Sequence, residues 1–346
     1  MPERALKDSN SWLYSPRQDL VLTALIFTAA LLLPTMTPTK WGILEFSAVA
    51  ILIDQNHIFT TFFRIYFDPS EFRRRRRLYL AVPLFAGGAA ALTLSIDPSV
   101  FWITFSALSM FHFIRQQFGW FMITLRKNVA ALNAAEVRLN KALFYGLIIL
   151  PMIYGMSERS IGFYVISFKP ELPTALATPV LALYFIVLVS AVVYEIHKTR
   201  STGLLNWAKY NQYLITFVIS FLWHMVGRGM SPVPVIIAHG ITYWYASYVK
   251  LHRNPNTLLP PLKSLLTGRW SLFSLFALIS TITFLYWNTF YNADMAKLFF
   301  GHFAYLAPVV FGTFSWTHYL LDAFIWKSSD NPAVREILYT AAKAQT

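Results

Sequence analysis

Four histidines lie within long apolar stretches of this chain, and three of them have a second polar side chain at helical spacing. Positions separated by three or four residues share one face of an α-helix. An ionisable group at membrane depth costs at least ~2.5–3.5 kcal/mol, so these side chains require partners or a task. The residues selected on this basis are Asp54, His57, His112, Arg115, Gln116, His239, His318 and Asp322.

Imidazole and carboxylate groups are ligands that suit iron, zinc or manganese. The chain has no cysteine, which excludes thiolate ligands and disulfides. We therefore predict a metal ion, iron first and zinc second, and we expect Arg115 and Gln116 to orient ligands or stabilise an anion during catalysis. Two alternatives remain open, namely a buried polar or proton-relay network between helices and haem ligation. The predicted ligands are Asp54, His57, His112, His239, His318 and Asp322.

The composition indicates an all-α, polytopic integral membrane protein. Of the 346 residues, 56% are hydrophobic and only 13% are charged, whereas soluble domains carry about 25% charged residues. The net charge of +13 is compatible with nucleic acid, but basic residues also flank membrane helices on their cytoplasmic side. We therefore expect no nucleic-acid partner. The first 18 residues are polar and show no signal-peptide cleavage pattern.

Apolar runs between proline- and glycine-rich joins predict about ten transmembrane helices. They form one membrane domain over residues 1–346, with a short N-terminal segment (1–18) and a C-terminal tail (327–346). The span at 233–251 is short and flanked by proline, so it can also be read as re-entrant. The predicted spans are 19–36, 41–66, 78–96, 100–125, 139–156, 175–196, 210–227, 233–251, 270–288 and 303–326.

Charge then predicts the orientation of these spans. With the N-terminus in the cytoplasm, 22 of the 29 basic residues fall in inner segments, five fall in outer segments, and Arg64 and Arg115 lie within spans. Cytoplasmic loops are enriched in Lys and Arg. Both termini are therefore expected in the cytoplasm, with the chain in a bacterial cytoplasmic membrane.

Helical rise places the selected side chains at similar depth. At ~1.5 Å per residue, the polar groups of the second, fourth, eighth and tenth spans fall within about 15 Å of one another along the membrane normal. We therefore expect them to converge near the middle of the bilayer.

Three short motifs carry a resemblance to a known family. The stretches MFHFIRQQFGW, DQNHIF and AHGITYW resemble the histidine-bearing helices of the Brp/Blh family of bacterial membrane carotene dioxygenases. The resemblance covers about a fifth of the chain and implies histidine-bound non-haem iron in a helical bundle. The chain departs from that family in its larger number of spans and in THYLLDAFIWK, and it lacks the HxxxH and HxxHH boxes of membrane desaturases. Carotene is therefore not implied as the substrate.

These observations lead to two function hypotheses of different classes. The first is a membrane-embedded metal-dependent oxidoreductase, of the oxygenase, hydroxylase or desaturase type, that acts on a lipid or isoprenoid. The second is a proton- or ion-coupled transporter that uses the buried Asp, His and Arg residues, although no inverted repeat is visible. A scaffold without activity would not need the buried polar groups. The sequence leaves the oligomeric state open.

Overall fold

A computed structural model describes most of the chain, in residues 15–32, 50–126, 132–158, 161–163, 166–168, 173–221, 233–253, 255–268, 270–290, 297 and 301–326. Almost all of this part is helical, which confirms the predicted helical class. The described strands are Ile161–Phe163 (β1) and Ile166–Phe168 (β2), an antiparallel pair with Gly162 opposite Ser167. This hairpin lies between the predicted spans at 139–156 and 175–196.

The helices are named here in chain order. Short 3₁₀ turns precede α7, α10 and α12, and a π-helical turn at Ala50–Gln55 leads into α2. The helices are α1 (Pro16–Leu32), α2 (Asn56–Tyr66), α3 (Pro69–Arg74), α4 (Arg76–Ile96), α5 (Pro98–Arg126), α6 (Ala134–Glu158), α7 (Ala177–Thr202), α8 (Trp207–Phe221), α9 (Val233–Arg253), α10 (Pro260–Thr267), α11 (Ser271–Phe290) and α12 (Ala307–Ile325).

The chain divides into two compact units. The first contains the described residues of Met1–Thr37 and Phe113–Ala238, and the second contains those of Pro38–His112 and His239–Ile337. Because α5 and α9 each cross a boundary, His112 and His239 both belong to the second unit.

In the second unit, α12 packs along α4 and also contacts α2. Gly312 of α12 allows a close approach, because a Cβ there would lie 2.9 Å from the Phe101 ring and 3.2 Å from the Ala90 methyl group. At one end of this interface, Ile65, Tyr79 and Leu321 are fully buried together. This packing fixes α12, which carries His318 and Asp322.

A second close approach in this unit joins α9 to the π-helical turn. A Cβ on Gly240 would lie 2.7 Å from both the carbonyl oxygen and the Cγ2 of Ile53. Such distances are too short for any larger residue without a shift of the backbone. The glycine therefore lets His239 approach His57, which is the second residue after the π-helical turn.

In the first unit, α6 packs against α7 and α8, and α8 also contacts α1. Leu147, Tyr184 and Ala191 are buried between these helices. Hydrogen bonds between side chains add to the packing, from Gln212 Nε2 to Gln117 Oε1 at 2.7 Å and from Thr23 Oγ1 to Asn211 Oδ1 at 2.7 Å.

Three segments among the described residues are long and apolar enough to cross a membrane, namely Arg76–Ile96, Ala134–Met156 and Thr174–Thr202. The last has a mean hydropathy of 2.5, yet only 17% of its most apolar stretch is buried. An apolar helix exposed in this way suits lipid better than water. The number of ten spans and the position of both termini stay predictions, and most of residues 1–18 and all of the tail from 327 lie outside the described residues.

Candidate metal centre

The second unit brings the four predicted histidines together. They come from four helices, with His57 on α2, His112 on α5, His239 on α9 and His318 on α12. Neighbouring rings meet edge to face, and their centroids are 4.5 to 4.9 Å apart in the pairs 57–239, 57–318, 112–239 and 112–318. All four side chains are buried, and His57, His239 and His318 are fully so.

This cluster could hold a metal ion. Each histidine offers one ring nitrogen, and these four atoms all lie within 4.8 Å of one another. Imidazole nitrogens bind zinc at about 2.0–2.1 Å, so two nitrogens on one ion are at most about 4.2 Å apart. The Nε2 atoms of His57 and His239 already lie 2.9 Å from each other. Small side-chain adjustments are therefore enough to bring the four nitrogens to ligand distance.

A hydrogen-bonded chain orients His318 from outside the cluster. His318 Nδ1 lies 2.7 Å from Thr61 Oγ1, which lies 2.5 Å from Tyr243 Oη. The Tyr243 hydroxyl donates to Asp322 Oδ1 at 2.8 Å. The donors therefore run in one direction, from His318 Nδ1–H through the Thr61 and Tyr243 hydroxyls to the carboxylate.

The direction of these bonds decides which ring nitrogen is available to a metal. A His318 that donates from Nδ1 keeps its lone pair on Nε2, and no hydrogen-bond partner for Nε2 occurs in the described part of the chain. His57 Nδ1 faces the carbonyl oxygen of Ile53 at 3.4 Å, and a carbonyl can only accept. Outer hydrogen bonds of this kind fix the tautomer in metal sites. Both rings are therefore arranged as Nε2 ligands.

The two aspartates lie beside the cluster. Asp322 Oδ1 is 3.6 Å from His318 Nδ1, and its Oδ2 is 3.8 Å from His112 Nε2. Asp54 Oδ1 is 3.9 Å from His57 Nδ1, and its Oδ2 accepts a hydrogen bond from Gln55 at 3.1 Å. The group of ligand atoms that lie within 4.8 Å of one another contains the four histidines and neither carboxylate. The structure thus places Asp54 and Asp322 beside the histidine nitrogens, at distances that suit partners that orient the rings.

Arg115 and Gln116 lie in the first unit, one turn beyond His112 on α5. Arg115 is exposed, and it donates to Tyr145 Oη at 3.1 Å and lies over the Phe118 ring at 5.3 Å. Gln116 is half-buried. The structure therefore groups neither residue with the four histidines.

No role was predicted from the sequence for Thr61, Tyr243 or Tyr319. Tyr319 stacks on His112 with centroids 4.5 Å apart, and its hydroxyl lies 2.8 Å from Ser109 Oγ. The sequence does contain a signal for Thr61 and Tyr243, because Thr61 follows His57 by four residues and Tyr243 follows His239 by four. Asp322 follows His318 at the same spacing, which places all three polar groups on the histidine faces.

A buried arginine lies on the face of α2 that carries His57 and Thr61. Arg64 is fully buried, donates from Nη2 to the Ile325 carbonyl at 2.6 Å and lies 3.8 Å from the centre of the Trp326 ring. Its charge interacts with Asp322 and Glu71. Arg64 therefore places a buried positive charge near Asp322.

Comparison with known proteins adds no identification to this geometry. No protein-family model, no curated protein and no solved structure matches this chain. The resemblance to the Brp/Blh family stays a prediction, and the arguments about function rest on the cluster itself.

Proposed function

We propose that this protein is a membrane-embedded, metal-dependent oxidoreductase with iron at the four-histidine cluster. The observation that carries the proposal is the meeting of four buried imidazoles from four helices within 4.8 Å. A polar network that only joins helices gains about 0.6 kcal/mol per hydrogen bond. Four fully or nearly fully buried rings, two of them oriented by outer hydrogen bonds, are more than such a network requires.

The burial of the site supports an apolar substrate. The cluster lies among helices whose outer surfaces carry large exposed apolar side chains, such as Leu84 and Phe85 on α4. A substrate that reaches a dry centre from the bilayer must itself be soluble there. We therefore propose a lipid or isoprenoid with a C–H or C=C bond as the group oxidised, in an oxygenase, hydroxylase or desaturase reaction.

The residues of the chain have separate tasks in this proposal. His57, His112, His239 and His318 would hold the metal, which when bound supplies the redox chemistry. Thr61 and Tyr243 hold the His318 ring and its tautomer, and Tyr319 limits the rotation of His112 by stacking on it. Asp322 accepts the last hydrogen bond of the chain, from the Tyr243 hydroxyl. Iron is preferred to zinc because the four histidines are buried, which suits oxidation of an apolar substrate better than hydrolysis by bulk water.

Metal analysis tests this proposal directly. The full chain is purified in detergent, washed with chelator and analysed for iron and zinc, beside the variants His112→Ala and His318→Ala. We expect about one iron per chain in the parent and almost none in either variant. His197→Ala, at an exposed histidine outside the cluster, is the matched control and should keep its metal. Full metal content in both cluster variants would contradict the proposal.

A second candidate function is a proton- or ion-coupled transporter. It is favoured by Arg64, a fully buried charge with Nε and Nη1 lacking hydrogen-bond partners among the described residues. Intramembrane charges of this kind mark ion pathways in transporters. Absence of bound metal together with pH-dependent flux in liposomes would select this function instead.

A further inference from the structure

The first unit contains a pocket of about 560 Å³ between α6, α7 and α8. Volumes of about 300–1,000 Å³ are typical of sites that hold one small molecule. Most of its wall is apolar, with Leu147 and Leu188 on one side and Leu214 and Phe217 on another. Two of its three helices contain candidate membrane spans, Ala134–Met156 and Thr174–Thr202.

The polar lining residues of this pocket come from the C-terminal half of α7 and the first half of α8. Thr199 and Tyr210 line it, and their hydroxyl oxygens lie 2.5 Å apart. Glu195, Arg200 and Tyr213 are the other polar lining residues. The pocket therefore has an alkyl-like wall and a polar end.

Among the described residues, one cationic side chain near the polar end of the pocket forms no ion pair. The Lys209 ammonium lies 2.6 Å from Glu195 Oε2, and Lys198 is paired with Glu136. Arg200 is exposed, and no ion pair involves it within the residues that the structure describes. A guanidinium is a strong partner for carboxylates and phosphates. The polar end of the pocket is thus complementary to an anionic group.

We propose that this pocket binds a single-chain amphiphile with an anionic head, of the long-chain fatty acid type. The alkyl chain lies along Leu188, Val192 and Leu214, and the head pairs with Arg200 beside the Thr199 hydroxyl. The site is independent of the metal cluster, which belongs to the second unit. A ligand of this class is already concentrated in a bilayer, where it reaches an open pocket laterally.

Titration of the full chain with palmitate, followed by native mass spectrometry, tests this proposal. Arg200→Gln should weaken palmitate binding about tenfold, since one charge-assisted contact is lost, and should leave binding of the uncharged hexadecanol unchanged. Arg138→Gln removes an arginine outside the pocket and should bind palmitate like the parent. Equal palmitate affinity in the two arginine variants would overturn the assignment of the head group.

A matched pair of tryptophan substitutions tests the alkyl part. Val192 and Val193 are adjacent on α7 and both exposed, but only Val192 lines the pocket. Val192→Trp should abolish binding of both palmitate and hexadecanol, whereas Val193→Trp should leave it intact. Equal binding by both variants would overturn the site. If the parent bound phosphatidylglycerol more tightly than palmitate and Val192→Trp lost this preference, the ligand would not be a single-chain amphiphile. All four variants should retain their metal.

Discussion

At the scale of single residues, the candidate centre consists of rings that meet and hydroxyls that hold them. The sequence predicted all four histidines, because an ionisable side chain in an apolar helix is conspicuous. The spacing of four residues puts Thr61 and Tyr243 on the histidine faces, but it does not predict that they form a hydrogen-bonded chain to Asp322, because threonine and tyrosine are common in membrane helices. The sequence also could not tell that Arg115 turns toward Tyr145, since sharing a face with His112 does not fix the direction of a long side chain.

The hydroxyl of Thr61 provides a test of this chain. Thr61→Val keeps the side-chain shape but removes the oxygen between His318 and Tyr243. We expect metal affinity to fall about 10- to 100-fold, the usual effect of losing an outer partner of a ligand. Competition with a chelator of known affinity measures this change.

Thr60→Val is the matched control for this substitution. Thr60 is the preceding residue and is equally buried, and within the described ranges its hydroxyl donates only to the carbonyl of Asn56 in its own helix, at 2.8 Å. It should therefore leave metal affinity unaltered. Equal losses in the two variants would mean that the hydroxyl of Thr61 acts through helix stability and not through His318.

At the scale of elements, the π-helical turn at Ala50–Gln55 is the feature that the sequence did not reveal. Nothing in AILIDQ distinguishes it from an α-helical turn, and π-turns often occur at functional sites. The sequence shows that Gly240 follows His239, but it does not show that Gly240 packs closely against Ile53. The two together decide how near His57 and His239 come to each other.

Gly240→Ala tests this close approach. The new methyl group would lie 2.7 Å from Ile53 O, so α9 or the π-helical turn must move. We expect a loss of about 1–3 kcal/mol in stability and a clear loss of bound metal, measured by thermal unfolding and by elemental analysis. Gly88→Ala on α4 meets no atom within 4 Å and should keep both properties. Metal retention in Gly240→Ala would contradict the role of this contact.

The start of α3 contains a buried ion pair that should make stability depend on pH. Asp68 caps this helix by accepting from the Ser70 and Glu71 amides, and Lys250 donates to its Oδ2 at 2.9 Å. Burial acts to raise the pKa of Asp68, but the Lys250 ammonium and the hydrogen bonds outweigh it, and the pKa falls below its ordinary value. The pKa of Glu71 is also lowered, because bonds from Arg74 and Tyr79 outweigh its burial.

A carboxyl group whose pKa is lower in the folded state than in the unfolded state stabilises the fold. This stabilisation is complete above the pKa of the unfolded state and is lost as the pH falls through the pKa of the folded state. We therefore expect the unfolding temperature to drop steeply below about pH 4. Asp68→Asn should lower the free energy of unfolding by about 3–5 kcal/mol near neutral pH, because it leaves Lys250 buried without its counter-charge. The unfolding temperature of this variant should then fall less steeply in acid than that of the parent. An identical acid profile in the variant would assign the pH dependence to other groups.

At the scale of the whole molecule, apolar exposed helices indicate a membrane protein more directly than the net charge does. Composition alone predicted the helical class, because 13% charged residues cannot cover a soluble surface of this size. Orientation depends instead on where the basic residues fall between spans, so it needs its own experiment.

The absence of cysteine from the chain makes that experiment simple. Ser99, at the start of α5, and Ser201, near the end of α7, are both exposed, and three predicted spans separate them. A cysteine at Ser99 should react with an impermeant maleimide in intact cells, whereas one at Ser201 should react only after permeabilisation. Reaction of both from the same side would contradict the predicted topology.

The spread of the four histidines along the chain has a consequence for biosynthesis. Of the four histidines His57 is translated first and His318 last, so a nascent chain that stops before His318 lacks the full set of imidazoles. Under the proposed function, metal can be captured at full affinity only after α12 has been inserted and packed. Retained metal would therefore report that insertion was completed, and chains truncated before His318 should emerge without it.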